Sequence, residues 1–299
     1  MSKKHSSAML LAVLALLALM AAGASSASAL TLKKGYAVFD QCPLSNEEVR
    51  GCIVSKTESG EIVLGKQAVP IVKVQTLQGG FYTEESGATK FVGASNGETL
   101  SKTPQKVPGG LLGLVKCNEI KGFGLLEIIE RGACELIFEN GTTGVNAITE
   151  LALPASSIGL NEGALFAEEG TALSLPIKVR LENSLLGSEC YIGSSAHPIT
   201  LNLTSGTTKP PLPNKPIKGK AGTLESKEEG GIFAIKGNSL VDNSFAAPEA
   251  TGCGGIFAFL IDPIIDSKIG LPSTAGHNTA ILNNTIEQAG RGAIEEYGE

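Results

Sequence analysis

The chain has 299 residues, with 24 Lys and Arg against 30 Asp and Glu, a formal net charge of −6, 37 glycines and no tryptophan. Removing an N-terminal leader that carries Lys3 and Lys4 leaves 22 basic against 30 acidic side chains, a net charge of −8. That acidity excludes the basic footprint selected by nucleic acid or an anionic membrane surface, so no nucleic-acid partner is expected.

The leader is the first readable element. Lys3 and Lys4 form a positive n-region, residues 9–22 are an apolar run, and Ala27-Ser28-Ala29 makes a small-residue cleavage site. Residues 1–29 therefore read as a secretory signal peptide. Residues 30–299 read as a secreted β domain, with a possible subdivision near residue 150. The apolar run is shorter than the ~20 residues a membrane-spanning helix needs, so no transmembrane segment is expected after cleavage.

An even number of cysteines in an exported chain reads as a disulfide framework. The six are Cys42, Cys52, Cys117, Cys134, Cys190 and Cys253. Sequence does not fix their pairing. Sequential pairing closes the shortest loops and is the expectation: Cys42 with Cys52, Cys117 with Cys134, Cys190 with Cys253. A structural zinc site needs close pairs such as C-x-x-C, which the sequence lacks.

In chain order, residues 71–76 approximate the alternation of a strand. Residues 82–110 are polar and punctuated, as in a long loop or a short exposed hairpin. Residues 111–115 and 125–129 are apolar runs that periodicity assigns to neither strand nor helix. Residues 134–138 run into Asn140-Gly141 as a strand enters a hairpin turn. The Ala, Leu and Glu content of residues 144–173 predicts a helical turn near residues 160–169. In residues 176–182, Ile177, Val179 and Leu181 share one face and Lys178, Arg180 and Glu182 the other, a half-buried antiparallel strand. Residues 199–204 repeat that alternation.

Proline fixes φ and biases its predecessor toward polyproline II, so residues 209–216 are expected to be extended. Residues 230–236 and 254–261 read as strands, the second apolar throughout and hence central. Five prolines (Pro70, Pro176, Pro198, Pro216 and Pro263) precede isoleucine and mark candidate strand starts. The last dozen residues read as frayed. The fold class that follows is all-β: a mostly antiparallel β-sandwich with disulfides and at most short helices.

Three blocks, at residues 175–208, 243–255 and 262–276, resemble blocks of uncharacterised secreted proteins of soil actinobacteria. The resemblance runs from about Cys42 to Gln288. It implies export and β architecture and brings no activity with it.

Candidate chemistry is sparse. After processing, the histidines are His197 and His277. Neither accompanies a G-x-S-x-G nucleophile elbow, and each reads as a turn residue. A metal site combining both with Asp262 and Asp266 is geometrically conceivable but less consistent with the turn context. No cofactor motif is present. Of the paired carboxylates that glycosidase chemistry requires, Glu84-Glu85, Glu168-Glu169 and Glu228-Glu229 read as solvated charge. Asp262 and Asp266 bracket apolar residues and are the better candidates. Leu271-Pro272-Ser273-Thr274-Ala275 resembles a wall-sorting pentapeptide but lacks the apolar span and basic tail that must follow it. No catalytic, cofactor or metal residue is assigned. The expected function is non-enzymatic binding of an extracellular protein or a glycan through displayed loops, with a secreted carboxylate-dependent, glycosidase-like hydrolase as the alternative.

Overall fold

In the computed structural model, which describes residues 32, 34–85, 87–111, 144–227 and 231–298, fourteen strands belong to a mostly antiparallel sheet. In order they are β1 (Gly51–Leu64), β2 (Gln67–Pro70), β3 (Gln75–Thr83), β4 (Thr89–Gly93), β5 (Gln105–Lys106), β6 (Asn146–Leu151) and β7 (Gly159–Leu160). Helix α1 (Glu162–Ala167) then precedes β8 (Leu173–Glu182), β9 (Tyr191–Ile192), β10 (Ile199–Leu203), β11 (Thr223–Lys227), β12 (Ile232–Asp242) and β13 (Ala250–Thr251). Helix α2 (Ala258–Ile269), β14 (Thr279–Gly290) and α3 (Arg291–Tyr297) complete the order. Residues Leu32–Glu299 cluster as one compact unit.

The strands run β11-β12-β14-β1-β3-β4-β7-β8-β6-β5, with β10 also paired to β8. A bridge between Thr204 and Val241, with hydrogen bonds of 2.9 Å in both directions, joins the end of β10 to β12 and turns the ladder back on itself. Inward residues of β1, β3, β8, β10, β12 and β14 thus share one core cluster, an arrangement compatible with a sandwich. The alternation expected in β8 is present: Ile177, Val179 and Leu181 are buried. On its other face Lys178 and Arg180 pair with Glu150, the Arg180 Nε to Glu150 Oε1 distance being 3.0 Å. In β10, Ile199, Leu201 and Leu203 are buried while Thr200 and Asn202 face out. Each fully buried aliphatic side chain contributes about 1.5–3 kcal/mol.

A second, smaller core lies against the opposite side of β1. There Tyr36 and Phe39 of the 3-10 turn Lys34–Phe39 meet Val49, Val54, Ile232 and Ile294. The Cys42–Cys52 disulfide staples this cluster. Cys190 is bonded to Cys253, both fully buried, where β9 pairs with β13. Both pairs follow the sequential pattern. Cys117 and Cys134 lie outside the described residues, as do the runs at 112–115, 125–129 and 134–138.

Several expectations are corrected. Residues 254–261 are not a central strand: Gly255–Phe257 is a 3-10 turn leading into α2. The apolar run hid a helical spacing, since Ile261, Ile265 and Ile269 recur every fourth residue and are the buried ones, while Ile256 and Phe259 are exposed. Pro263 sits inside α2 on its exposed side, where it removes one helical N–H donor. Residues 71–74 connect β2 to β3 rather than forming a strand. Of the five Pro-Ile pairs, Pro198 alone immediately precedes a strand; Pro176 lies within β8 and Pro70 ends β2. Residues 209–216 do not run straight through but turn at 212–214. Asn214 Nδ2 holds that turn by donating to the carbonyls of Asn243 and Asn278, at 3.0 and 2.9 Å. The last dozen residues are not frayed, because β14 and α3 occupy them and α3 drives Ile294 into the second core.

The helical turn expected at residues 160–169 is α1, capped by Asn161 Oδ1 accepting from the Ala164 N–H at 3.0 Å. The polar stretch after residue 82 includes the β3–β4 hairpin, whose Phe91 is buried.

Candidate binding site

The carboxylates singled out by sequence are structural. Asp262 and Asp266 lie one turn apart on α2 and face the β13 segment. Asp262 accepts from the N–H groups of Cys253 (2.8 Å) and Gly252 (3.1 Å), and Asp266 from that of Ala250 (2.7 Å). Burial raises the pKa of each above the ordinary aspartate value, and these N–H donors oppose the rise. The pair therefore fastens the β13 loop to α2 beside the Cys190–Cys253 bridge.

His197 is exposed in the turn before β10, where its N–H donates to Ser194 Oγ at 3.1 Å. His277 is exposed in the turn before β14. Among the described residues no group of three His, Cys, Asp or Glu comes together as a metal site. Ser273, from the pentapeptide, is buried and bridges Ala247. Glu168 ends α1, and the Lys218 ammonium 3.0 Å away lowers its pKa, helped by the Ala221 N–H. Glu84 pairs with Lys90. Glu228 and Glu229 lie outside the described residues.

The structure brings together a different set, centred on β14. Ala280, Leu282 and Ile286 of β14 point into the main core, and Asn284 stands in the same inward row, 4% exposed. Its strand partners at that level are Asn238 of β12 and Thr57 of β1, and Thr57 in turn pairs with Gln75 of β3. Four buried polar residues thus cross four adjacent strands in register. Asn284 Nδ2 donates to Asn238 Oδ1 at 3.2 Å, and Thr57 Oγ1 donates to Asn284 Oδ1 at 2.6 Å. Asn238 Nδ2 donates to the carbonyls of Lys220 and Ala221. The row is hydrogen-bonded from β12 to β1 and continues, without a bond, to Gln75.

Both neighbours of β14 bulge at this level. In β1, Glu58 is inserted between the pairs Thr57–Asn284 and Ser59–Asn283. In β12, Lys236 and Gly237 both oppose Thr285, and Gly237 takes φ of 66°, a left-handed conformation that glycine adopts without a Cβ clash. The two bulges open a polar groove of about 240 Å³ bordered by Glu58, Lys220, Ser239 and Asn283, with Asn238 and Asn284 as its floor. Asn283 Nδ2 is held by Ser59 Oγ at 3.1 Å. Bulges commonly re-aim side chains at functional sites. The only sequence signal was the Asn283-Asn284 pair inside a β-branched run, since every partner is distant in the chain.

Among the described residues no helix is long and apolar enough to cross a membrane. Comparison of the chain with protein-family models, with curated proteins and with solved structures finds no match.

Proposed function

We propose that the protein is a non-enzymatic extracellular binding protein that uses the groove over β14 to hold a hydroxyl-rich ligand such as a glycan. The observation that carries this reading is the groove itself: amides, a hydroxyl, a carboxylate and an ammonium converge where two bulges part the strands. Such a lining supplies donors and acceptors for polar recognition. By contrast, Asp262 and Asp266 spend their oxygens on backbone N–H groups of the β13 loop. The leader sequence and the two disulfides support an extracellular setting.

The test is a glycan-array screen of the purified protein followed by titration of the best hit. Saturable binding is expected, weakened at least about tenfold by the Glu58→Gln, Asn283→Ala double variant. Binding that the double variant leaves untouched would remove the groove from the reading. Turnover of a glycan, abolished by Asp262→Asn, would replace binding with carboxylate-dependent hydrolysis.

A further inference from the structure

The apolar run at residues 254–261 holds more hydrophobic side chain than the fold buries. Ile261 points into the main core, whereas Ile256 is 85% exposed, Phe259 73% and Phe257 42%. On α2 the exposed surface continues one turn on through Pro263, with Leu260 half-buried beside Phe259. Single exposed apolar side chains are ordinary, but a contiguous stripe of them marks a contact surface.

The stripe is held from below. Gly254 takes φ of 79°, and a Cβ there would stand 2.7 Å from Ile261 Cγ1, so the turn is built for glycine. Its N–H donates to the Leu186 carbonyl at 2.8 Å, and Cys253 beside it is bonded to Cys190. The turn thus fixes where Ile256 and Phe257 project, and docking against them costs little conformational entropy. Carboxylates lie along one flank. Glu249 is exposed, and after burial its charge is a further cause of the raised pKa of Asp262 and Asp266 on α2. Glu189 is exposed too, and its backbone packs against Gly252. Lys268, the one basic residue of α2, sits in its last turn, away from Ile256.

We propose that this stripe docks a basic, amphipathic segment of a partner protein. The segment's apolar face lies on Ile256, Phe259 and Pro263, and its Lys or Arg side chains reach toward Glu249 and Glu189. The charge of the flank selects this occupant. A second copy of the chain would bring the same carboxylates together, and an anionic lipid surface would meet the same repulsion. A segment with one apolar and one cationic face answers both halves of the surface. The site goes beyond the groove over β14: it lies on a different element, and its occupant is a protein rather than a glycan.

The experiment titrates purified protein into a fluorescein-labelled leucine-lysine amphipathic helical peptide, and into its leucine-glutamate counterpart, reading anisotropy. Saturable binding of the lysine peptide is expected, at least about tenfold tighter than that of the glutamate peptide. The Ile256→Ser, Phe259→Ser double variant should keep the parent melting temperature, because neither side chain is in the core. It should weaken the lysine peptide at least about tenfold. Glu249→Gln should weaken it about twofold to fivefold, the effect of one exposed charge. Binding unchanged in the double variant overturns the proposal, since the peptide would then sit elsewhere. Equal affinity for the two peptides overturns it as well, because charge would not select the partner. Should the lysine peptide fail to bind while the double variant abolishes self-association in sedimentation, or binding to phosphatidylcholine vesicles, the stripe belongs to a second copy or to a lipid surface and the proposal falls. A failed glycan screen with intact peptide binding would sink the groove alone, and the reverse pattern would sink this surface alone.

Discussion

Around Cys253, buried polar groups are matched: three backbone N–H groups meet the carboxylates of Asp262 and Asp266, and a disulfide closes the same corner. Across β12, β14 and β1 the matching runs from Asn238 through Asn284 to Thr57, and two bulges open this level of the sheet onto the outer groove. The first region has few options left, because both oxygens of Asp262 and one of Asp266 already hold the loop in place. The second is open at one end. Polarity that is satisfied internally serves the fold, whereas polarity that opens onto a groove is available to a ligand.

The largest effect should come from the closed region. Replacing Cys190 and Cys253 by serine removes a bridge between residues 63 apart in sequence, and should cost about 4 kcal/mol in urea unfolding. The Cys42–Cys52 bridge spans only 10 positions and should cost about 3 kcal/mol. A reversed order would mean that local packing, rather than loop closure, governs these corners.

The sharpest test of the contrast pairs two single variants. Asp262→Ala strands the N–H groups of Gly252 and Cys253 and should cost about 2–3 kcal/mol. Gln75→Leu removes a carboxamide that makes no side-chain hydrogen bond among the described residues and should stay within about 0.5 kcal/mol of the parent. Equal losses in chemical denaturation would erase the distinction between the two regions.

The smallest effect concerns pH. Burial raises the pKa of Asp242, Asp262 and Asp266 above the ordinary aspartate value. The folded protein therefore holds protons on these groups that the unfolded chain has already released. Their stabilising contribution is complete below the unfolded pKa and is lost as pH rises through the folded values. Stability should therefore fall as pH rises from the ordinary aspartate value through the raised folded values, whereas Glu168, whose pKa is lowered by Lys218, costs stability as pH falls below the ordinary glutamate value. Asp266→Asn keeps an acceptor for Ala250 but cannot titrate, so it should shallow the slope; an unchanged slope would assign the pH dependence elsewhere.

The legible parts of the fold were those written in short-range pattern. Alternation placed Ile177, Val179 and Leu181 inward. The Ala, Leu and Glu content of residues 144–173 anticipated the helical turn of α1, and even cysteine usage anticipated the two disulfides. Helix α2 was misread because eight apolar residues in a short run satisfy a buried strand as well as a buried helix; packing of Ile261, Ile265 and Ile269 decided between them. Asp262 and Asp266 drew notice as carboxylates amid apolar residues, yet their partners are backbone N–H groups whose position depends on the β13 loop.

The polar row lay beyond sequence reading for a more basic reason. Thr57 and Asn284 are 227 positions apart, and Asn238 is 46 from Asn284. Nothing in a local window shows that they share a level of the sheet, or that bulges at Glu58 and Gly237 frame them. By itself the sequence determined an acidic charge, a strand-rich pattern and the residues able to cross-link, because those depend on composition and nearest neighbours. Register, the bulges and the polar groove they open were decided only by tertiary structure, because each depends on which distant strands lie side by side.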